Sequence, residues 1–140
     1  VNIVVYKTEE EICIVTPAEG VSLDQVIALT IPASSKYNII DDSALPDGYF
    51  RDAWEIDDNM HVSINILKAK QIQKDCWRVA RNKKLKELDY KFMLALEQDN
   101  SEKINNIKTL KAALRDVTKI DLPDNIIDIK NTWPEILNEA

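Results

Sequence analysis

Residues 59–97 read NMHVSINILKAKQIQKDCWRVARNKKLKELDYKFMLALE, and no Gly or Pro follows until Pro123. The absence of breakers and the change in periodicity predict a long helix running to about Glu97. At about 100° per residue, Ala69, Ile72, Cys76 and Val79 cluster in one direction, and Leu85, Leu88, Phe92 and Leu96 lie roughly opposite. A straight helix therefore carries apolar stripes on two sides. Past Glu97, Gln98-Asp-Asn-Ser101 interrupts the run. Asp99 or Ser101 can cap a second helix whose Ile104, Ile107, Leu110, Leu114 and Val117 form one stripe. So short a linker makes the pair antiparallel. The second helix covers the stripe of Leu85 to Leu96 and leaves Ile72, Cys76 and Val79 looking elsewhere. Three outcomes are open there: a break near Arg81-Asn82 that rotates the stripe, burial against the N-terminal part, or contact with another copy. On the last, Ile72, Cys76 and Val79 are the candidate self-association residues and the chain is a homo-oligomer.

Upstream, residues 2–6 and 11–16 are β-branched and aromatic runs separated by the charged stretch Lys7 to Glu10, which predicts a β-hairpin. Ser22-Leu-Asp-Gln25 is a capping-box pattern opening a short helix with Leu23, Val26 and Ile27 inward, and the helix must stop before Pro32. Lys36 to Asp41 reads as a third strand. Pro46 and Asp47-Gly48 are turn chemistry, after which Phe50 to Ile56 returns as a last strand. Downstream, Asp121 with Pro123 and then Thr132-Trp-Pro134 mark two short helical starts. The expected fold is α+β: a small strand-rich unit over residues 1–58, a helical hairpin over 59–119 and a short helical tail over 120–140. So small an N-terminal core needs large side chains, which makes Trp54 a core candidate.

The chain has 140 residues, 45 % apolar and 30 % charged, with a net charge of -6. That suits a globular domain and excludes fibrous or disordered classes. No apolar run approaches the roughly 18 residues of a membrane span. Charge is segregated: residues 1–58 carry 3 basic against 12 acidic groups (-9), residues 59–98 carry 9 against 4 (+5), and residues 99–140 carry 6 against 8 (-2). Such bipolarity favours docking of an acidic body on a basic helix, within the chain or between copies. Two cysteines in unlike contexts give no disulfide framework or zinc cluster, and a reducing cytoplasm is the expected compartment. The start of the chain lacks the features of a secretory signal.

Catalytic constellations do not emerge. The carboxylates of Glu9-Glu10-Glu11, Asp41-Asp42 and Asp57-Asp58 sit in adjacent positions, which in a strand point to opposite faces. His61 is the single histidine, and Ser34-Ser35 lacks the glycines of a nucleophile elbow. Cys76, mid-helix, reads as a packed thiol. The expectation is no enzyme, no cofactor and no metal. Lys68 to Lys91 make a basic helix with Trp77 and Tyr90 interleaved, but its charges encircle the axis, which argues against nucleic acid as a partner. Tyr49-Phe-Arg-Asp-Ala-Trp54 packs three aromatics and an Arg beside a turn. Tyr49, Arg51 and Trp54 are the candidate partner-binding residues, since Arg and aromatics anchor interfaces.

Several strings follow one another in a familiar order: Tyr37-Asn-Ile-Ile-Asp-Asp-Ser-Ala-Leu-Pro46, Phe50-Arg-Asp-Ala-Trp-Glu55, Arg81-Asn-Lys-Lys-Leu-Lys-Glu-Leu-Asp89, Phe92-Met-Leu-Ala-Leu-Glu97, Lys111-Ala-Ala-Leu-Arg-Asp-Val-Thr118 and Trp133-Pro134. The chain resembles small bacteriophage and prophage proteins associated with tail-fibre regions. Its helical hairpin, Leu-Arg-Asp motif and Trp-Pro ending are similar to the C-terminal part of phage tail-fibre assembly chaperones. The resemblance implies a non-enzymatic protein that binds a tail or fibre component in the host bacterial cytoplasm, as a transient assembly factor or as a permanent part of the virion. It supplies no catalytic residues. Arg81 and Arg115 are expected to pair with Asp89 or Asp116 at the hairpin, and Trp133 to pin the tail onto it.

Overall fold

In the computed structural model, which describes residues 1–138, the chain divides into two compact units at Lys68 and Ala69. The fold is mixed: an N-terminal strand unit precedes a long helix and shorter C-terminal helices. Residues 139 and 140 of the expected tail lie outside the described residues.

The first unit is built on β1 (Asn2–Lys7), which pairs antiparallel with β2 (Ile12–Val15) on one side and β3 (Tyr37–Asp41) on the other. Ile3, Val4 and Val5 are all buried; a central strand covered on both faces carries a continuous apolar run instead of an alternation. Helix α1 (Leu23–Thr30) opens with the expected capping box: the Gln25 amide donates to Ser22 Oγ at 3.2 Å and the Ser22 amide to Gln25 Oε1 at 3.0 Å. Val26 is buried, Leu23 and Ile27 half-buried. At Ile31 the backbone turns extended, as the residue before a proline does.

After Pro46 the expected strand over Phe50 to Ile56 is only half present. Gly48–Ala53 is 3-10 helical, started by the Asp47 carboxylate accepting from the Tyr49 amide, and the strand β4 is confined to Trp54–Ile56. It pairs antiparallel with β5 (Val62–Ile64), a strand inside the segment expected to be helical from 59. Two local features turn the chain back there. Asp57 Oδ1 accepts from the amides of Asn59 and His61, each at 2.9 Å, and Met60 takes a φ of 62°. The long helix, α2, therefore starts at Ile66, where the Asn65 side chain caps the Lys68 amide at 3.1 Å.

In the second unit α2 continues without interruption to Glu97, 32 residues in all, so the break considered near Arg81-Asn82 does not occur. The turn passes through Asp99 at φ 52°, and the Asn100 amide bonds back to the Ala95 carbonyl at 3.0 Å, a common helix C-terminal device. Asn100 caps α3 (Ser101–Arg115) through the Lys103 amide, displacing Asp99 and Ser101 from that role. Ile107, Leu114 and Val117 are buried as the stripe requires, while Leu110 is 37 % exposed. The hairpin is antiparallel: Lys111 pairs with Asp89 and stands over the Phe92 ring. Beyond a 3-10 turn at Val117–Lys119, α4 (Ile126–Asn131) is capped by Asn125 and not from Asp121, and a 3-10 turn at Glu135–Leu137 follows Pro134. Leu122, Ile129 and Leu137 are buried.

Candidate interaction surfaces

The 3-10 turn at Gly48–Ala53 buries Phe50 and Ala53 and leaves Tyr49, Arg51 and Asp52 outward. Tyr49 packs edge-on against Phe50, with ring centres 4.8 Å apart, and is 41 % exposed. The Arg51 guanidinium stacks 4.3 Å from the centre of the Trp54 ring and donates from Nη2 to the Ile12 carbonyl at 2.9 Å. Trp54, half-buried, donates its indole N–H to the Asp47 carbonyl at 3.2 Å. An exposed cation–π stack contributes about 0.5–1 kcal/mol; with the carbonyl bond it holds Arg51 in one orientation before any partner arrives. Trp54 is thus both a core edge and a surface residue.

Two shallow depressions flank this cluster. One, of about 400 Å³, is lined by Glu10, Glu11, Ile12, Arg51, Asp52 and Trp54. A second, of about 410 Å³, shares Glu10, Glu11, Ile12 and Trp54 with the first and extends through Lys7, Thr8 and Glu9 to Glu55 and Ile56. Both are rimmed by carboxylates. Among the described residues Glu9, Glu10 and Glu11 make no ion pair, whereas Lys7 is engaged by Asp58 at 3.7 Å. No group of three or more His, Cys, Asp or Glu among the described residues is placed to hold a metal ion, and no helix among them is long and apolar enough to cross a membrane.

None of the groups with a shifted ionisation lines these depressions. Asp41 is held well below the usual carboxylate range, chiefly by the Ser43 hydroxyl at 2.7 Å and also by the Ser43 amide. Asp57 is lowered by the amides of His61 and Asn59 in the β4–β5 turn. Tyr6 is raised, first by burial and then by its hydrogen bond with Cys13. Each serves local structure.

On α2 the residues named from sequence separate. Val79 is 73 % exposed, whereas Ile72 and Cys76 are half-buried. The buried face instead runs through Ala69, Gln73, Trp77 and Ala95. Gln73 Nε2 donates to the carbonyls of Lys130 and Thr132 at 3.3 and 3.0 Å, and the Trp77 indole donates to Thr132 at 3.1 Å. The tail is thus pinned from α2, by Trp77, while Trp133 stays 38 % exposed. The expected arginine pairs are replaced as well: Asp89 takes Lys111, Asp116 takes Lys119 and Arg81 donates to Asn82. Sequence reasoning missed a longer outward face. Lys83, Lys86, Tyr90 and Met93 continue the direction of Val79 at heptad-like spacing, with Tyr90 72 % and Met93 64 % exposed; the seven-residue interval from Ile72 and Val79 through 86 to 93 was the signal. Comparison with protein-family models, curated proteins and solved structures gave no match.

Proposed function

We propose that this protein is a non-enzymatic phage tail-fibre assembly chaperone or adaptor that takes a tail or fibre component on the surface of Tyr49, Arg51 and Trp54, acting in the host bacterial cytoplasm during assembly. The observation that carries the binding reading is the fixed Arg51–Trp54 stack. An Arg and an aromatic ring held at a surface lose little conformational freedom when a partner covers them, and these residue types dominate interface energetics. The phage assignment is supported by the ordered strings from Tyr37 to Pro134.

Co-expression with a neighbouring fibre protein tests the reading. The fibre is expected to be soluble and assembled only with this chain present, and Arg51→Ala with Trp54→Ala to weaken the complex at least tenfold with the fold retained. A fibre that assembles unaided and forms no complex overturns the proposal. Mass spectrometry of purified particles then separates an assembly factor, absent from them, from a permanent virion component.

A further inference from the structure

We infer that the outward face of α2 docks onto the acidic hairpin tip of a second copy of this chain. The inference stands apart from the tail-fibre reading. Val79, Tyr90 and Met93 present three large, well exposed side chains on one side of a straight helix, with Lys83 and Lys86 between them. Neither lysine makes an ion pair among the described residues, so the face combines apolar side chains with unpaired positive charge.

Its charge selects the occupant. Against the same face of a second copy, a parallel pair sets Lys83 and Lys86 opposite their own counterparts, and an antiparallel pair about the stripe's midpoint sets Lys86 opposite Lys86 with Lys83 within one helical turn of it. Like charges so placed oppose association. An acidic surface with an apolar floor fits instead. The first unit carries one: Glu9, Glu10, Glu11 and Glu55 line a depression together with Ile12, Trp54 and Ile56, and the lysine that also lines it, Lys7, is paired with Asp58. The three turn glutamates have no ion pair of their own among the described residues. The segments contributing these surfaces carry net charges of -9 and +5, a difference that also steers encounter. Because two different patches meet, a reciprocal pair closes as a two-fold dimer, and a non-reciprocal one propagates. The depression shares Trp54 with the Arg51 surface but is lined by neither Tyr49 nor Arg51, so reversing the hairpin glutamates leaves those two residues in place.

Complementary charge reversal tests the inference by sedimentation or light scattering at about 100 μM, a concentration that populates even weak pairs. Wild type is expected to self-associate, and less so in high salt. Glu9→Lys/Glu10→Lys/Glu11→Lys and Lys83→Glu/Lys86→Glu are each expected to be monomeric alone and to associate when mixed, because each retains the surface the other has lost. A monomeric wild type, a hairpin variant that still associates, or a mixture that stays monomeric overturns it. Should a reversal lose the wild-type circular dichroism, Glu10→Gln and Lys83→Gln must each still weaken association severalfold; unchanged association of either also overturns it.

Discussion

The two halves of α2 are covered by different chemistry. Along the second half, Leu88 and Ala95 meet Ile107 and Leu110 of α3 around a shared apolar depression, with the Lys111–Asp89 pair beside it. Along the first half the cover is the tail, and the contacts that place it are donated N–H groups: Gln73 and Trp77 reach backbone carbonyls at Lys130 and Thr132. Aliphatic packing tolerates sliding, since dispersion has no preferred direction. Hydrogen bonds from buried donors do not slide, because an unmade bond there costs about 1–3 kcal/mol. The hairpin is therefore held by volume and the tail by register.

The strongest way to break that contrast is Trp77→Ala. Trp77 is completely buried, so truncation is expected to cost about 3–5 kcal/mol, read as a fall in the urea midpoint and loss of tail protection in hydrogen exchange. A loss below about 1 kcal/mol would mean the tail does not depend on this ring. Next in size, Gln73→Leu keeps volume but removes the bonds donated to the Lys130 and Thr132 carbonyls, the latter keeping the Trp77 indole as donor, with an expected loss of about 1–3 kcal/mol. If Leu proves neutral, the Trp77 indole and packing place the tail without Gln73. On the hairpin side, Lys111→Met removes a pair whose Asp89 partner is largely exposed and exchanges the cation over the Phe92 ring for a thioether, itself a favourable ring contact. Its cost is expected to stay below about 1 kcal/mol by thermal denaturation.

The smallest effect sits in the first unit. The folded state lowers the pKa of Asp57, so its ionised form is the one the β4–β5 turn stabilises. Stability from this group is fully present above the unfolded value of about 3.9 and is lost as pH falls through the folded value. Asp57→Ala is expected to flatten this acid limb below about pH 4. An unchanged limb in denaturation curves would show that the two amides place no demand on the charge.

What the sequence disclosed follows the same division between local and distant causes. The β1–β2 hairpin, the Ser22–Gln25 box, β3 and the stripe of Ile107, Leu114 and Val117 are each written in neighbouring residues, and each was legible. β5 was not, because Val62-Ser-Ile64 is three residues long and depends on Asp57 bending the chain toward β4. The buried face of α2 was misread for a related reason. Gln73 and Trp77 stand among lysines and arginines, and nothing local shows that carbonyls some 55 residues later will meet them. Periodicity therefore pointed to Ile72, Cys76 and Val79, of which Val79 faces water. At the Arg51 site, residue types were legible, but not the Ile12 carbonyl that holds the guanidinium.

The most direct test of this account is the environment of Trp77 itself. In the Trp54→Phe/Trp133→Phe background Trp77 is the sole tryptophan, and its fluorescence under acrylamide reports whether α2 turns that side inward. The account predicts blue-shifted emission and weak quenching, both lost on unfolding. Red-shifted emission quenched as strongly in the folded protein as in urea would contradict it.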